Sequence, residues 1–199
     1  MLAALDATLF PDARTRRFDM NWRDGIALSQ MDDMAGGFHR IVFDPVGIFA
    51  YGFDKTAQIS PWRVNPREHW PSLLSEIPSA LEHYLQEPSF HFNGFFDVTT
   101  CLWNLTESGS WETSRVELPA GKNPDGAEYV FDLLHGDLTP ASYVDWIEFM
   151  TGIRPNLDAV SVMFSSTEID MKVINALNSH VTLDMINTAL ETTGFVAFQ

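Results

Sequence analysis

The sequence predicts an α+β fold, with helices packed on a mainly antiparallel sheet and a helical C-terminal third. Strand-like runs joined by hairpin turns occupy the first half of the chain, and helical periodicity dominates the second half. Strands and helices do not alternate one by one, as the crossovers of a parallel sheet would require. The 199 residues are 45% hydrophobic and 13% aromatic, which is too apolar for a disordered chain.

The first strands are indicated by apolar, β-prone runs on either side of a turn. Residues 38–43 and 48–53 flank Asp44-Pro45-Val46-Gly47, where Pro at the second position and Gly at the fourth suit a type I turn. This arrangement predicts a hairpin. Residues 25–29 predict a further strand before it.

The middle of the chain predicts two helical segments and a second hairpin. Asn65-Pro66-Arg67-Glu68 combines a capping residue, Pro at the first helical position and Glu at the third, which is typical of a helix N-terminus. A second helix is predicted over residues 78–86. Residues 95–105 then alternate between two faces, and a polar turn leads to residues 111–118, which predicts paired strands.

The last third predicts three helices and a short strand. Thr139-Pro140 opens a helix that Gly152 ends, because apolar residues recur at the spacing of one helical face: Tyr143, Trp146, Ile147 and Met150. Residues 167–177 predict another helix. Thr182 caps the third, and residues 195–198 predict a final strand.

No repeat or linker divides the chain, so residues 1–199 are predicted to form a single domain. Two alternatives within this domain stay open. Residues 1–18 allow a loosely packed arm, and residues 153–199 allow a helical subdomain.

The formal charge of −15 is distributed unevenly along the chain. Residues 1–67 carry eight Lys/Arg and eight Asp/Glu, whereas residues 68–199 carry four and nineteen. Such a surface repels phosphate-rich partners and anionic membranes and attracts basic proteins. We therefore expect neither a nucleic acid nor a membrane as partner, unless residues 14–23 form a separate basic patch. The alternative is that the acidity serves solubility alone.

Few residues predict catalysis or metal binding. The sequence has no phosphate-binding loop, dinucleotide fingerprint, nucleophile elbow or zinc-protease motif, and its six histidines show no metal-ligand spacing. We therefore predict no metal and no cofactor. The single cysteine, Cys101, lies in an alternating strand-like run, where a thiol usually behaves as a small buried hydrophobe. A nucleophilic role would need a nearby histidine.

The candidate site lies in the loop after residues 48–53. Asp54 and Lys55, followed by Ser60 and Trp62, present a carboxylate, an amine, a hydroxyl and an indole within nine residues. Loops on rigid sheets are where binding residues concentrate. The structural alternative is that Trp62 plugs the edge of the sheet.

A second, weaker candidate is His135-Gly136-Asp137, which combines a base, a flexible residue and an acid. It would supply catalytic residues near a cleft. The structural alternative is a turn before the Thr139 helix, with Asp137 bonding its own backbone.

The succession of segments resembles a group of small bacterial proteins to which no function is attached. The matching segments are residues 47–54 with Ser60-Pro61-Trp62, Cys101-Leu102-Trp103 with Trp111, Tyr143-Val144-Asp145-Trp146, and residues 177–195. The resemblance implies a single bacterial domain and carries over no catalytic residue. Where related sequences have Phe-Asp-His-Glu-Ser, this chain has Phe53-Asp54-Lys55-Thr56-Ala57, so that histidine and glutamate are missing.

Two functions from different classes follow. The first is a cytoplasmic acidic interaction module, similar to an immunity protein or antitoxin, that binds a basic protein and is not an enzyme. Cytoplasm is expected because the first residues lack a basic n-region and no apolar run approaches the ~20 residues of a membrane helix. The second is a small-ligand-binding protein or hydrolytic enzyme with a cleft near the loop from Asp54 to Trp62. The sequence leaves the oligomeric state open.

Overall fold

A computed structural model describes residues 1–12, 15–134 and 136–198. Six strands form a sheet in which each strand neighbours the next one along the chain, and the pairings from the second strand to the sixth are antiparallel. The predicted α+β class is confirmed. The strands are β1 (Arg16–Arg23), β2 (Ile26–Asp32), β3 (Gly37–Asp44), β4 (Gly47–Asp54), β5 (Thr100–Leu105) and β6 (Trp111–Glu112).

The hairpin predicted around residues 44–47 is confirmed as β3 and β4. Asp44 pairs with Gly47 at the turn, and Phe38 pairs with Phe53 at the other end of the ladder. The Val46 amide donates to Asp44 Oδ1 at 2.9 Å, which is the local side-chain bond that favours Asp at the first turn position. Strand β4 also pairs with β5, so the hairpin lies inside the sheet.

The helix predicted to begin at residues 65–68 is wrong. This stretch has no helical turn, because its side chains bond distant parts of the chain instead of completing a local cap. Arg67 Nη1 donates to Asp97 at 2.7 Å, and Trp70 Nε1 donates to the Glu117 carbonyl at 3.0 Å. Tertiary contacts have overridden a capping pattern that is locally favourable.

Two other predicted elements are shorter than expected. The helix over residues 78–86 is reduced to a 3₁₀ helix at Glu82–Gln86, with further 3₁₀ turns at Pro61–Arg63, Pro88–Phe90 and Asp132–Leu134. The strand predicted over residues 95–105 begins only at Thr100, and its partner is the two-residue β6. Residues 96–99, which precede this strand, are all buried, so burial there does not follow the predicted alternation between two faces.

The remaining elements follow the C-terminal prediction with one correction. The helices are α1 (Leu2–Leu9), α2 (Ala127–Val130), α3 (Pro140–Thr151), α4 (Leu157–Ser165), α5 (Met171–Leu177) and α6 (Leu183–Leu190). Residues 168–170, predicted as helix, form β7 (Glu168–Asp170), which pairs in parallel with β8 (Val196–Phe198). Asp170 ends this strand and caps α5 through a bond from the Lys172 amide at 2.7 Å. The predicted final strand is confirmed as β8.

The caps of α3 and α6 are those that the sequence indicates. Thr139 Oγ1 accepts from the Ser142 amide, and the Ser142 hydroxyl accepts from the Thr139 amide, which makes a reciprocal capping box. Gly152 ends α3 with φ of 72°, a left-handed conformation that glycine adopts without steric cost. Thr182 accepts from the Met185 amide at the start of α6.

The chain divides into two compact units, with one boundary between residues 21 and 22, within β1, and the other between residues 132 and 133. We call Trp22–Asp132 the sheet unit, and Met1–Asn21 together with Leu133–Gln199 the helical unit. In the sheet unit, one sheet face packs against the long segment between β4 and β5. Its core includes Phe49 stacked on Tyr84, with ring centroids 5.8 Å apart and planes inclined by 14°.

The helical unit has a core of its own around α1, α3, α4, α5 and α6. The buried residues include Leu5, Tyr143, Ile147, Val160 and Ile174. Residues 1–18, for which the sequence allows a loose arm, contain α1, whose Leu5 is fully buried. Among the described residues, no helix is both long and apolar enough to span a bilayer.

The acidic excess is shared by both units. The sheet unit carries seven Lys/Arg and sixteen Asp/Glu, and the helical unit carries five and eleven, so their formal charges are −9 and −6. The neutral stretch before residue 68 is divided between them. Arg14 of the proposed basic patch lies outside the described residues, whereas Arg16 pairs with Asp6 and Arg23 pairs with Glu87.

Candidate functional site

The four residues predicted as a site in the loop after β4 have two different roles. Asp54 and Ser60 stabilise the loop itself, whereas Lys55 and Trp62 line a groove. Asp54 Oδ1 accepts from the Thr56 amide at 2.7 Å and the Thr56 hydroxyl at 2.8 Å, which closes the turn. Ser60 is buried, and its Oγ accepts from the Trp62 amide at 3.3 Å as the cap of the 3₁₀ turn that follows. Neither Asp54 nor Ser60 lines a cavity described in the sheet unit.

Lys55 and Trp62 line a groove of about 410 Å³ in the sheet unit. Trp62 is 42% exposed, and Lys55 Nζ lies 5.0 Å from the centroid of its ring, within the range of a cation–π contact. Drug-sized ligands occupy pockets of roughly 300–1,000 Å³. The groove is therefore large enough for a small organic molecule.

Aromatic rings form a connected row along this groove. The centroids of Phe38 and Phe53 are 5.3 Å apart, and those of Phe53 and Trp62 are 6.4 Å apart. Trp62 and Phe92 lie at 6.1 Å with planes inclined by 24°. The first two rings are held by the β3–β4 ladder, and the last two by the segment between β4 and β5. Together these rings give the groove an aromatic, largely apolar wall.

Arg40 is the principal cation of the groove. On β3 it lies opposite Gln30 of β2 and Tyr51 of β4, and its Nε and Nη1 donate to their side-chain oxygens at 3.2 Å and 2.8 Å. Its Cζ lies 4.9 Å from the Phe38 centroid and 5.5 Å from the Phe90 centroid. Burial raises the pKa of the Tyr51 phenol, and Arg40 opposes that rise, so Tyr51 acts as a neutral acceptor at neutral pH.

Part of the Arg40 guanidinium has no protein partner. Within the three described ranges, Nη2 makes no hydrogen bond, and no carboxylate oxygen lies within 4.0 Å of the guanidinium nitrogens. Five other arginines do have such a carboxylate: Arg16, Arg23, Arg67, Arg115 and Arg154. Among the described residues, Arg40 thus lines the groove with unused N–H donors and without a carboxylate partner.

Asp97 fixes the indole that borders the groove. Its Oδ1 accepts from Trp62 Nε1 at 3.0 Å, and its Oδ2 accepts from Arg67 Nη1 at 2.7 Å. Arg67 also donates to the Phe92 carbonyl at 2.9 Å. Burial raises the pKa of Asp97 in spite of the opposing effect of these donors. Because both carboxylate oxygens are engaged, Asp97 positions Trp62 and Phe92 and is not a free acid or base.

The loop between β2 and β3, which supplies the groove residues Ala35 and Gly36, is organised by Asp33. The carboxylate oxygen Oδ1 of Asp33 accepts from the amides of Ala35, Gly36 and Gly37 at 2.7–3.0 Å, and Oδ2 accepts from the Tyr129 hydroxyl at 2.6 Å. Burial tends to raise the pKa of Asp33, but these bonds together lower it. The same bond to Asp33 raises the pKa of Tyr129 to about 12. The carboxylate is therefore ionised and shapes this side of the groove at neutral pH.

The second candidate cluster is described only in part. His135 lies outside the described residues. Asp137 belongs to the helical unit, and its carbonyl accepts from the Ser142 hydroxyl at 3.0 Å, at the turn that leads into α3. Asp54 belongs to the sheet unit, where it closes a different turn.

The described residues offer little for hydrolysis or metal binding. No serine, threonine or cysteine of the described ranges lines the groove, and Cys101 is buried in the core, where burial raises the pKa of its thiol. His91 lines the groove, but its Nε2 bonds the Leu85 carbonyl at 2.8 Å. Across the described residues, no three His, Cys, Asp or Glu side chains are placed to hold a metal ion. The arrangement suits binding of rings and anions.

Sequence reasoning missed Arg40, Phe53, Phe92 and Asp97. A signal for Arg40 exists, because it shares a strand face with Phe38 and Val42 within the predicted hairpin. A charged residue on an apolar face needs either a partner or a ligand. Asp97 had no such signal, since its partners are 30 and 35 residues away in the sequence.

The chain was compared with known proteins in three ways. A scan against protein-family models, a search of curated proteins and a search of solved structures each found no match.

Proposed function

We propose that the sheet unit is a small-ligand-binding module whose ligand carries a planar ring. The main support is the groove of about 410 Å³, which is lined by a row of four aromatic rings and by Arg40, whose guanidinium has N–H donors without a hydrogen-bond partner among the described residues. Concave sites with apolar walls and a few fixed polar groups are the usual form of ligand pockets. In the part of the chain that the structure describes, no serine, threonine or cysteine lines the groove, which favours binding over hydrolysis by a side-chain nucleophile.

The support for preorganisation comes from the bonds behind the groove. Trp62 is fixed by Asp97, and the loop at residues 33–36 is fixed by the Asp33 carboxylate. Side chains that are already ordered lose little conformational entropy when a ligand binds. The groove therefore needs little rearrangement to accept a ligand.

A fragment screen by ligand-observed NMR tests this proposal. We expect single-ring and fused-ring fragments to bind the wild-type protein and to lose most of their binding to Trp62→Ala, because each base-like ring stacked on an aromatic side chain gains roughly 1–3 kcal/mol. Trp111→Ala is the matched control, since Trp111 is a 53% exposed tryptophan of the same unit that does not line the groove. Equal loss of binding in both variants, or no ring-bearing ligand for the wild type, would contradict the proposal.

A second candidate is the acidic interaction module, located in the cytoplasm and directed at a basic protein. It is favoured by the negative charge of both units and by an exposed apolar face on and after α3. Phe149 is 85% exposed there, and Met150 and Ile153 are more than half exposed, next to Asp145 and Glu148. Apolar residues bordered by carboxylates match the core and rim of an interface with a basic partner.

This second candidate predicts binding that depends on both salt and Phe149. Pull-downs at low ionic strength are expected to recover a basic protein with wild type, and much less of it with Phe149→Ser or at high salt. Met34→Ser is a control with a comparably exposed residue in the other unit. Recovery that is unchanged by salt and by Phe149→Ser would rule this interface out.

A further inference from the structure

We propose that the groove selects small aromatic oxyanions, which are molecules that join a planar ring to a carboxylate or phosphate. This inference rests on the proposed ligand-binding function and specifies the ligand class. It is carried by the position and the unsatisfied donors of Arg40. Asp33 and Asp97 are both engaged elsewhere, so neither competes for a cationic ligand.

The surroundings of Arg40 favour an anionic partner. Its guanidinium lies among the rings of Phe38, Tyr51 and Phe90, at 4.9–5.9 Å from their centroids. A charge that is partly removed from water is costly unless it is paired, and rings compensate it only in part. A guanidinium with free N–H groups matches the two oxygens of a carboxylate or phosphate. An oxyanion at this point would supply the missing partner.

The rings define where the rest of the ligand would lie. Phe38, which is in contact with Arg40, is followed along the groove by Phe53 and then by Trp62. An oxyanion bound to Arg40 therefore places an attached ring against this row. Lys55, which lies over Trp62, adds a second cation toward that end. Both cations favour an anion over a cation of the same shape.

The carboxylates that line the groove do not reverse this preference. Asp97 is neutralised by Arg67 at 2.7 Å and bonded by Trp62. Asp32 is exposed, so water and salt screen its charge, and its Oδ1 accepts from the Met34 amide. The groove is thus locally attractive to an anion although the chain as a whole carries a charge of −15.

Calorimetric titration with three naphthalene probes tests the inference on the full chain. The probes are 2-naphthoate, its neutral isostere 2-naphthamide and the cation 2-naphthylmethylammonium. We expect wild type to bind 2-naphthoate about tenfold or more tightly than 2-naphthamide, as charge-assisted bonds to a guanidinium contribute roughly 1.5–3 kcal/mol, and to bind the cation most weakly. Adenosine 5′-monophosphate serves as a fourth probe in which phosphate is the oxyanion.

The variants assign the preference to Arg40. Arg40→Gln keeps a donor for Tyr51 but removes the charge, and is expected to bind 2-naphthoate and 2-naphthamide within about twofold of each other. Arg115→Gln makes the same charge change at a 91% exposed side chain of the same unit and is expected to keep the wild-type preference. Thermal unfolding shows whether each variant is folded. If Arg40→Gln does not fold, the affinities of the wild-type protein for the anionic, neutral and cationic probes still test the inference.

The outcomes separate this inference from the function on which it rests. Equal affinity of wild type for naphthoate and naphthamide, or tighter binding of the cation, overturns the anion preference and leaves the ring-binding groove intact. If no naphthalene probe binds at millimolar concentration, both the anion preference and the proposed ligand-binding function are contradicted. Arg40-dependent binding of adenosine monophosphate that is tighter than that of naphthoate supports the inference with phosphate as the oxyanion, and the reverse order supports it with carboxylate.

Discussion

Replacing Asp6 by alanine is expected to lower the free energy of unfolding of the helical unit by about 3–5 kcal/mol, the usual effect of leaving a buried charge without its partner. Asp6 is 2% exposed on α1, and Arg16 is also buried. The Arg16 guanidinium approaches the carboxylate at 3.3 Å and lies 4.5 Å from the Trp146 ring. With Asp6 removed, the guanidinium would keep the ring but lose its counter-charge.

The Asp6 carboxylate also organises the chain after α1. Its Oδ2 accepts from the Thr15 hydroxyl at 2.9 Å and from the Arg16 amide at 3.0 Å, so the start of β1 is tied to the helix. Burial raises the pKa of the nearby Tyr143 phenol, and the Asp6 charge raises it further. The substitution therefore removes an ion pair and leaves a buried backbone donor unsatisfied, and both effects destabilise.

Urea unfolding of Asp6→Ala is compared with that of three control variants. Asp12→Ala removes an exposed carboxylate just after the same helix, which ends at Leu9, and is expected to change the unfolding free energy by less than about 0.5 kcal/mol. Arg16→Met and the double variant complete a cycle, in which the double loss should be smaller than the sum of the single losses by about 1–3 kcal/mol. Strict additivity would show that the pair is not coupled, and an effect of Asp6→Ala as small as that of Asp12→Ala would refute the expectation.

The fold was predictable where a local pattern and its tertiary partner agree. The turn at residues 44–47 and the cap at Thr139 were predictable because their bonds are made within four residues. The supposed cap at residue 65 failed because Arg67 and Trp70 bond residues 30 and 47 positions away, which no local pattern contains. Contacts between residues far apart in the sequence likewise account for the shortened helix predicted over residues 78–86 and the shortened strands predicted over residues 95–105 and 111–118.

The candidate site was predictable to the extent that it is local. Lys55 and Trp62 were singled out because a loop after a strand is a frequent place for binding residues, and both line the groove. Asp54 and Ser60 share that loop but satisfy its own amides. The loop sequence does not reveal the other wall of the groove, which β3 supplies through Phe38 and Arg40. That wall is brought to the loop by strand pairing, which the sequence predicted without indicating its consequence for ligand binding.

Replacing Gly47 by alanine is expected to destabilise the sheet unit by about 3 kcal/mol, at the upper end of the usual cost of overpacking. A Cβ atom on Gly47 would lie 2.5 Å from the Asn104 carbonyl oxygen and 2.9 Å from Leu105 Cα. Both of these are backbone atoms, so no side-chain rotation relieves the contact. Gly47 faces Leu105 in the β4–β5 register and Asp44 in the β3–β4 register.

The position of β4 between two partners makes the Gly47 contact hard to accommodate. Moving β4 away from β5 would compress or break the ladder with β3, and the β3–β4 hairpin carries Phe38, Arg40 and Phe53 of the groove. Gly136→Ala is the matched control, because a Cβ there would meet nothing within 4 Å and its φ is not in the left-handed region. Urea unfolding should therefore show a loss of about 3 kcal/mol for Gly47→Ala and less than about 0.5 kcal/mol for Gly136→Ala. Similar small losses for both would mean that the sheet can open at this turn, and the groove would then be less rigid than the β3–β4 ladder implies.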